Sequence, residues 1–163
     1  MKVKQHLPTN NKSRGINSRR FIIVHHTATG EGSIWGVLRT LTVWKVSCHY
    51  VIDTNWDLYK IGEDSDILWH CWLSSWGNIR AMNPHSIGIE VIWPLPNGFT
   101  FEQRKGVKEF VQELMKLYNI PKQNVLRHAD ISPWRKIDID LRFLNDSEGK
   151  PKYKSWKDWQ DSL

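Results

Sequence analysis

Sulfur is scarce in this chain, and long hydrophobic runs are missing. Its 163 residues hold two cysteines, Cys48 and Cys71. Two are too few for a disulfide framework, and they form no CxxC metal pair. They read as small buried fillers with free thiols. No apolar run approaches ~18 residues, which excludes a membrane-spanning helix. Residues 1–20 contain no apolar core of the signal-peptide kind, so the expected compartment is the cytoplasm. That segment also lacks acids. Lys2, Lys4, Lys12, Arg14, Arg19 and Arg20 supply the whole net charge of +6, and the rest of the chain balances 17 basic against 17 acidic residues. Such a segment is expected to be a solvated, mobile arm. Its matching partner would be a polyanion, such as a wall polymer or an anionic membrane surface. It has no interleaved aromatics for stacking bases, so nucleic acid is the weakest of these partners.

What is present is enough for one domain: 40% hydrophobic residues and ten tryptophans. A core of this size needs no staples. Phe21 to Val24 is a continuous apolar, β-branched run and predicts a buried strand. Ser33 predicts the cap of a helix reaching about Trp44, with Val37, Leu38, Leu41 and Trp44 on one face. Cys48 to Asp53 and Asp57 to Ile61 predict a hairpin. Ile87 to Ile92 predicts another strand, ended by Pro94 and Pro96, with Gly88 allowing a close approach. Thr100-Phe-Glu-Gln103 has the form of a capping box. Behind it, Val107, Phe110, Val111, Leu114, Leu117 and Tyr118 recur at helical spacing until Asn119 and Pro121. Val125 to Arg127 is a short strand leading into His128. The expected class is α/β: a single domain with a mixed central sheet flanked by helices. Residues 1–20 would be the arm and 21–144 the catalytic domain. Residues 145–163 would form a polar extension, packed on that domain by Trp156 and Trp159.

Two segments carry the chemistry. The strand at Phe21 ends in paired imidazoles, His25 and His26. A hundred residues later, Arg127-His-Ala-Asp-Ile-Ser-Pro-Trp-Arg-Lys-Ile-Asp138 puts a histidine and a carboxylate on a loop that Pro133 keeps from being helical. One strand-end His, a loop His and a loop Asp make an N/N/O set. Three ligands with a fourth position open for water is the pattern of a catalytic zinc. From the residues alone, His25 and His26 compete for one role, and Asp138 and Asp140 for another.

Five strings occur in order: Val24-His-His-Thr-Ala28, Ser47-Cys-His-Tyr-Val-Ile-Asp53, Trp69-His70, Asn83-Pro-His-Ser-Ile-Gly-Ile-Glu90 and the His128 to Asp138 loop. Together they resemble the zinc-dependent N-acetylmuramoyl-L-alanine amidases of type 2. That family includes muropeptide-recycling amidases, phage endolysins and animal peptidoglycan recognition proteins. The resemblance runs from about Phe21 to about Phe143. It implies one zinc ion held by His25, His128 and Asp138, because the family's first ligand follows the apolar strand and its last follows a Lys-x-Asp step. It also implies Glu90 as general base and Lys136 beside the oxyanion. An acid within Ile-Gly-Ile-Glu-Val-Ile independently asks for a function. His26, Trp69, His70, Asn83 and Arg135 fall where relatives touch substrate.

Two departures stand out. Cys48 replaces the tyrosine of the T7 type, and Ile139 follows Asp138 where relatives often have Pro-Gly. The asparate ligand itself, in place of cysteine, lies nearer the recycling branch. Trp72, Trp76, Trp93 and Trp134 are candidates for a glycan platform.

The expected activity is cleavage of the amide between N-acetylmuramic acid and L-alanine in peptidoglycan or a muropeptide. The enzyme would be either a phage or prophage endolysin, reaching the wall by a holin or by lysis, or a cytosolic recycling enzyme. A non-catalytic recognition module on the same scaffold is the alternative. It ranks lower because such receptors typically lose a zinc ligand, and this chain keeps every candidate. The signatures of nucleobase deaminases and of serine hydrolases are absent.

Overall fold

The computed structural model describes residues 2–27, 32–93, 98–139, 141–145 and 150–163. Ala28, Pro94, Pro96 and Asp140, each used above, lie outside the described residues, as do 146–149 of the C-terminal extension. The elements are β1 (Val3–His6), β2 (Lys12–Ser13), β3 (Phe21–His26), α1 (Ile34–Val43), β4 (Tyr50–Ile52), β5 (Leu58–Lys60), β6 (Ile67–Leu68), β7 (Ser75–Trp76), β8 (Ile79–Arg80), β9 (Ser86–Val91), α2 (Phe101–Tyr118), β10 (Val125–Arg127), α3 (His128–Ile131) and α4 (Trp156–Asp161). Six strands form the central sheet in the order β1-β5-β4-β9-β3-β10. The β4–β5 pair is antiparallel, as the hairpin reading requires, and the other neighbours are parallel.

Strand alternation sorts the sheet's two faces. Ile22 and Val24 of β3, with Ile87, Ile89 and Val91 of β9, pack with Val107, Phe110, Val111 and Leu114 of α2. Their neighbours Phe21, Ile23, His25, Ser86, Gly88 and Glu90 fall on the opposite face. The α2 ends follow from sequence. Thr100 Oγ1 accepts from the Gln103 N–H at 3.0 Å, Gln103 Oε1 accepts from the Thr100 N–H at 2.9 Å, and Asn119 closes the helix at φ 53°. The C-terminal α4 docks below it. Trp156 and Trp159 stack at 4.4 Å, and Trp156 Nε1 donates to the Val125 carbonyl at 3.0 Å.

Two expectations are corrected. Residues 2–20 are not a free arm: β1 extends the central sheet beside β5, and β2 pairs with β6. Four of its six cations engage the folded domain. Lys4 pairs with Asp57 and Lys12 with Asp66, while Arg19 and Arg20 lie over the Tyr118 and Phe21 rings. A linear count of charge cannot register that matching. Trp44 does not continue the apolar face of α1 either. The chain turns away after Val43, leaving Trp44 74% exposed. Among the described residues, no helix is long and apolar enough to cross a membrane.

Candidate metal centre and active-site cleft

The parallel strands β3, β9 and β10 end on the same side of the sheet, where ligands of open α/β sheets commonly bind. His25 lies at the end of β3. Glu90 lies beside it in register on β9, and His128 follows β10 directly. The segment after His128 makes one helical turn and then doubles back: the Ser132 carbonyl accepts from the N–H groups of Arg135 and Lys136, and the Asp138 carbonyl accepts from the Ala129 N–H at 2.6 Å. Ile139, fully buried in the α2-side core, anchors the exit. This closed loop returns Asp138 to His128.

Three ligand atoms converge. His25 Nδ1 is 2.9 Å from His128 Nδ1 and 3.5 Å from Asp138 Oδ2, and His128 Nδ1 is 3.0 Å from Asp138 Oδ2. Bonds of ~2.0–2.1 Å in a tetrahedral site separate neighbouring ligands by roughly 3.3 Å. The triangle therefore matches one face of such a site, and the residues fit a single zinc-sized ion. The protonation tendencies agree. Burial, with the neighbouring His128 charge, lowers His25 to about 4, which favours the neutral imidazole a metal needs. Burial opposes ionisation of Asp138, yet hydrogen bonds from His128 and His25 hold its carboxyl well below the usual range.

Glu90 stands apart from this triangle. Burial, reinforced by the Asp138 charge and opposed by Lys136, raises its carboxyl to about 8. Its Oε2 is buried without a hydrogen-bond partner. Lys136 borders the cleft that begins here. The cleft has two adjoining lobes of about 560 Å³ each, sharing Trp44, Trp69, His70, His128, Arg135 and Lys136. One lobe runs past Glu90, Val37, Leu41 and Ile137, the other past Lys45, Trp72 and Asn83.

The expected substrate contacts divide. Trp69 and Arg135 line both lobes, and Arg135 also donates to the Trp72 carbonyl. His26 faces the α2 side, edge-on to Trp93 at 4.3 Å, and meets one lobe at its rim. Asn83 is engaged by the fold: its Oδ1 accepts from the backbone N–H groups of His70 and Cys71, at 3.2 and 2.9 Å. His70 is buried behind His25, with His70 Nδ1 3.0 Å from His25 Nε2. Of the proposed platform, Trp72 and Trp134 are exposed, Trp76 is at 39% exposure, and Trp93 is buried against Phe99. Trp44 lines the cleft and escaped the sequence reading, because its spacing continues the α1 stripe.

A protein-family profile described as N-acetylmuramoyl-L-alanine amidase matches residues 16–140. The chain belongs to that family. The amidase AmiD of Escherichia coli is 27% identical over 135 residues, covering 73% of this chain and 48% of AmiD. The 1,6-anhydro-N-acetylmuramyl-L-alanine amidase AmpD of Haemophilus influenzae is 34% identical over 95 residues, covering 58% of this chain and 52% of AmpD. The chain spans about half the length of these curated relatives. Among solved structures, a mutant endolysin from Bacillus subtilis superposes with a TM-score of 0.67 at 20% identity, covering 98% of each chain. That likeness shows a shared fold.

Proposed function

We propose that this amidase-family chain hydrolyses the amide between N-acetylmuramic acid and L-alanine of peptidoglycan or a muropeptide. The observation that carries the reading is the convergence of His25, His128 and Asp138, beside Glu90 and Lys136, on an open cleft. An amide is a poor electrophile with a poor leaving group, so its hydrolysis needs an activated water, a sink for oxyanion charge and a proton for the nitrogen. A zinc ion held by the three ligands would supply Lewis acidity and would lower the pKa of water at the open position to about 7. Glu90 accepts the attacking water's proton and returns it to the departing nitrogen. A carboxyl raised toward neutrality suits both transfers. The Lys136 ammonium balances negative charge on the carbonyl oxygen in the transition state. Arg135 and Trp69 orient the substrate along the two lobes.

Endolysin and recycling enzyme share this chemistry. Exposed indoles at Trp44 and Trp72 on the cleft favour an extended glycan, since sugar rings present apolar faces to indole. An anionic wall polymer held by residues 1–20 has less support, because four of its cations engage the fold.

Digestion of purified peptidoglycan, with and without a chelator, tests the reading. New L-alanine amino termini that disappear on chelation and return with zinc are expected. Release of reducing sugars in their place would point to glycosidase chemistry and end the proposal.

A further inference from the structure

His70 is a buried imidazole with both nitrogens near polar partners. His70 Nδ1 is 3.0 Å from His25 Nε2, and His70 Nε2 is 3.3 Å from Ser86 Oγ. Ser86 Oγ donates to the Met82 carbonyl at 2.8 Å. If His25 gives Nδ1 to a metal, that atom carries no proton, so the proton sits on Nε2 and is donated to His70 Nδ1. His70 must then carry its own proton on Nε2 and point it at Ser86. The serine hydroxyl, its oxygen accepting, sends its hydrogen to a backbone carbonyl that can only accept. Cys71 Sγ also lies 4.0 Å from His70 Nε2. Ser86 Oγ is the nearer partner at 3.3 Å, and the chain through it has one consistent direction.

The surrounding fold is built for this ring. A Cβ at Gly88 would sit 2.5 Å from His70 Cγ and 2.6 Å from Nδ1, so the space over β9 fits the imidazole only because residue 88 is glycine. Asn83 clamps the backbone on which the ring is mounted. Ser86, Gly88 and Glu90 share one face of β9, so this strand supplies the chain's anchor, the seat for the ring and the acid of the cleft.

We propose that His70 is a positioning residue, fixing the orientation and metal-facing tautomer of His25 through the one-way chain His25–His70–Ser86–Met82. The inference rests on the metal-centre reading above. Partners of this kind around metal-ligating histidines typically change affinity by ~10–100-fold.

The test uses the whole chain and reads zinc affinity by competition with a chromophoric chelator. His70→Ala should weaken zinc binding by ~10–100-fold and should change the visible spectrum of the Co(II)-substituted protein. His70→Asn, whose side-chain oxygen can accept near the position of Nδ1, should restore much of the loss. Long-range proton–nitrogen spectra of zinc-loaded wild-type protein should place protons on Nε2 of both His25 and His70, a readout independent of how the variants fold. A proton on His70 Nδ1 would overturn the inference, as would unchanged zinc affinity in His70→Ala or no recovery in His70→Asn. Failure of the wild-type protein to bind zinc at all would instead sink the metal-centre reading beneath it.

Discussion

The two faces of the central sheet are made by the same strands and follow opposite rules. Toward α2, β3 and β9 present Ile22, Val24, Ile87, Ile89 and Val91, closed over by Val107, Phe110 and Leu114. Toward the cleft, the intervening positions begin with Phe21 and Ile23, which join a smaller apolar cluster with Met82 and Leu126. They then turn polar at His25, Ser86, Gly88 and Glu90, with His49, His70 and Asn17 buried among them. Asn17 Nδ2 donates to the Ser86 carbonyl at 2.7 Å, and His49 Nδ1 accepts the Gly88 N–H at 2.9 Å. One face gains its stability from area removed from water. The other holds desolvated polar groups that must be satisfied by one another or by a ligand. Damage to the two faces should therefore separate: stability should fail on one side and chemistry on the other.

The sharpest break is Asp138→Ala. It removes the anionic ligand and leaves two imidazoles, so bound zinc and amide hydrolysis should vanish together, measured by metal analysis and by product amino termini. Activity retained without metal would show that the triangle is not the catalytic centre. Next comes Glu90→Gln, which should keep stoichiometric zinc while kcat falls by ~10²–10⁴, the usual range for general acid–base groups. On the other face, Phe110→Ala removes a buried ring that meets Tyr50 edge-on at 4.7 Å. Unfolding free energy should drop by about 3–5 kcal/mol, with zinc affinity of the folded fraction unchanged. A weakened metal site in that variant would mean the faces are coupled.

How far the sequence reveals this arrangement also differs between the faces. The α2 face is legible because its information is local: a capping box, helical periodicity and a β-branched run each act within a few residues. A strand end and a proline-bent loop narrow the metal set to His25 or His26, His128, and Asp138 or Asp140; the resemblance to the amidase family is what selects His25 and Asp138. The supporting layer was not legible. His70 and Asn83 read as cleft residues in the sequence and do line it, but the groups that hold them lie 45 and 13 residues away and meet them only after folding. The basic N-terminal segment misled for the same reason, since Asp57 and Asp66 pair with two of its lysines from 53 and 54 residues downstream. Trp44 obeyed the helical period one residue past the point where the helix stops.

The smallest effect tests the polar face without catalysis. In metal-free protein Glu90 rises from 4.5 to about 8, chiefly through burial. Between those values the folded state binds more protons than the unfolded state, so stability must fall as pH rises through that window. Asp138 shifts the opposite way, and its contribution is lost as pH falls below the ordinary carboxylate range. His25 and His49, both lowered to about 4, add stability as pH rises from there toward 6.5. Those groups are common to wild-type protein and Glu90→Gln, so the difference between the two isolates Glu90. Thermal melts at pH 5 should give a baseline gap set by the substitution itself. By pH 8 that gap should shift in favour of the glutamine variant by up to roughly 10 °C, each 1 kcal/mol moving Tm by roughly 2–4 °C in a chain of this size. A gap that stays constant with pH would mean that Glu90 ionises freely, and the cleft would then lack the desolvated acid on which the proposed proton transfers depend.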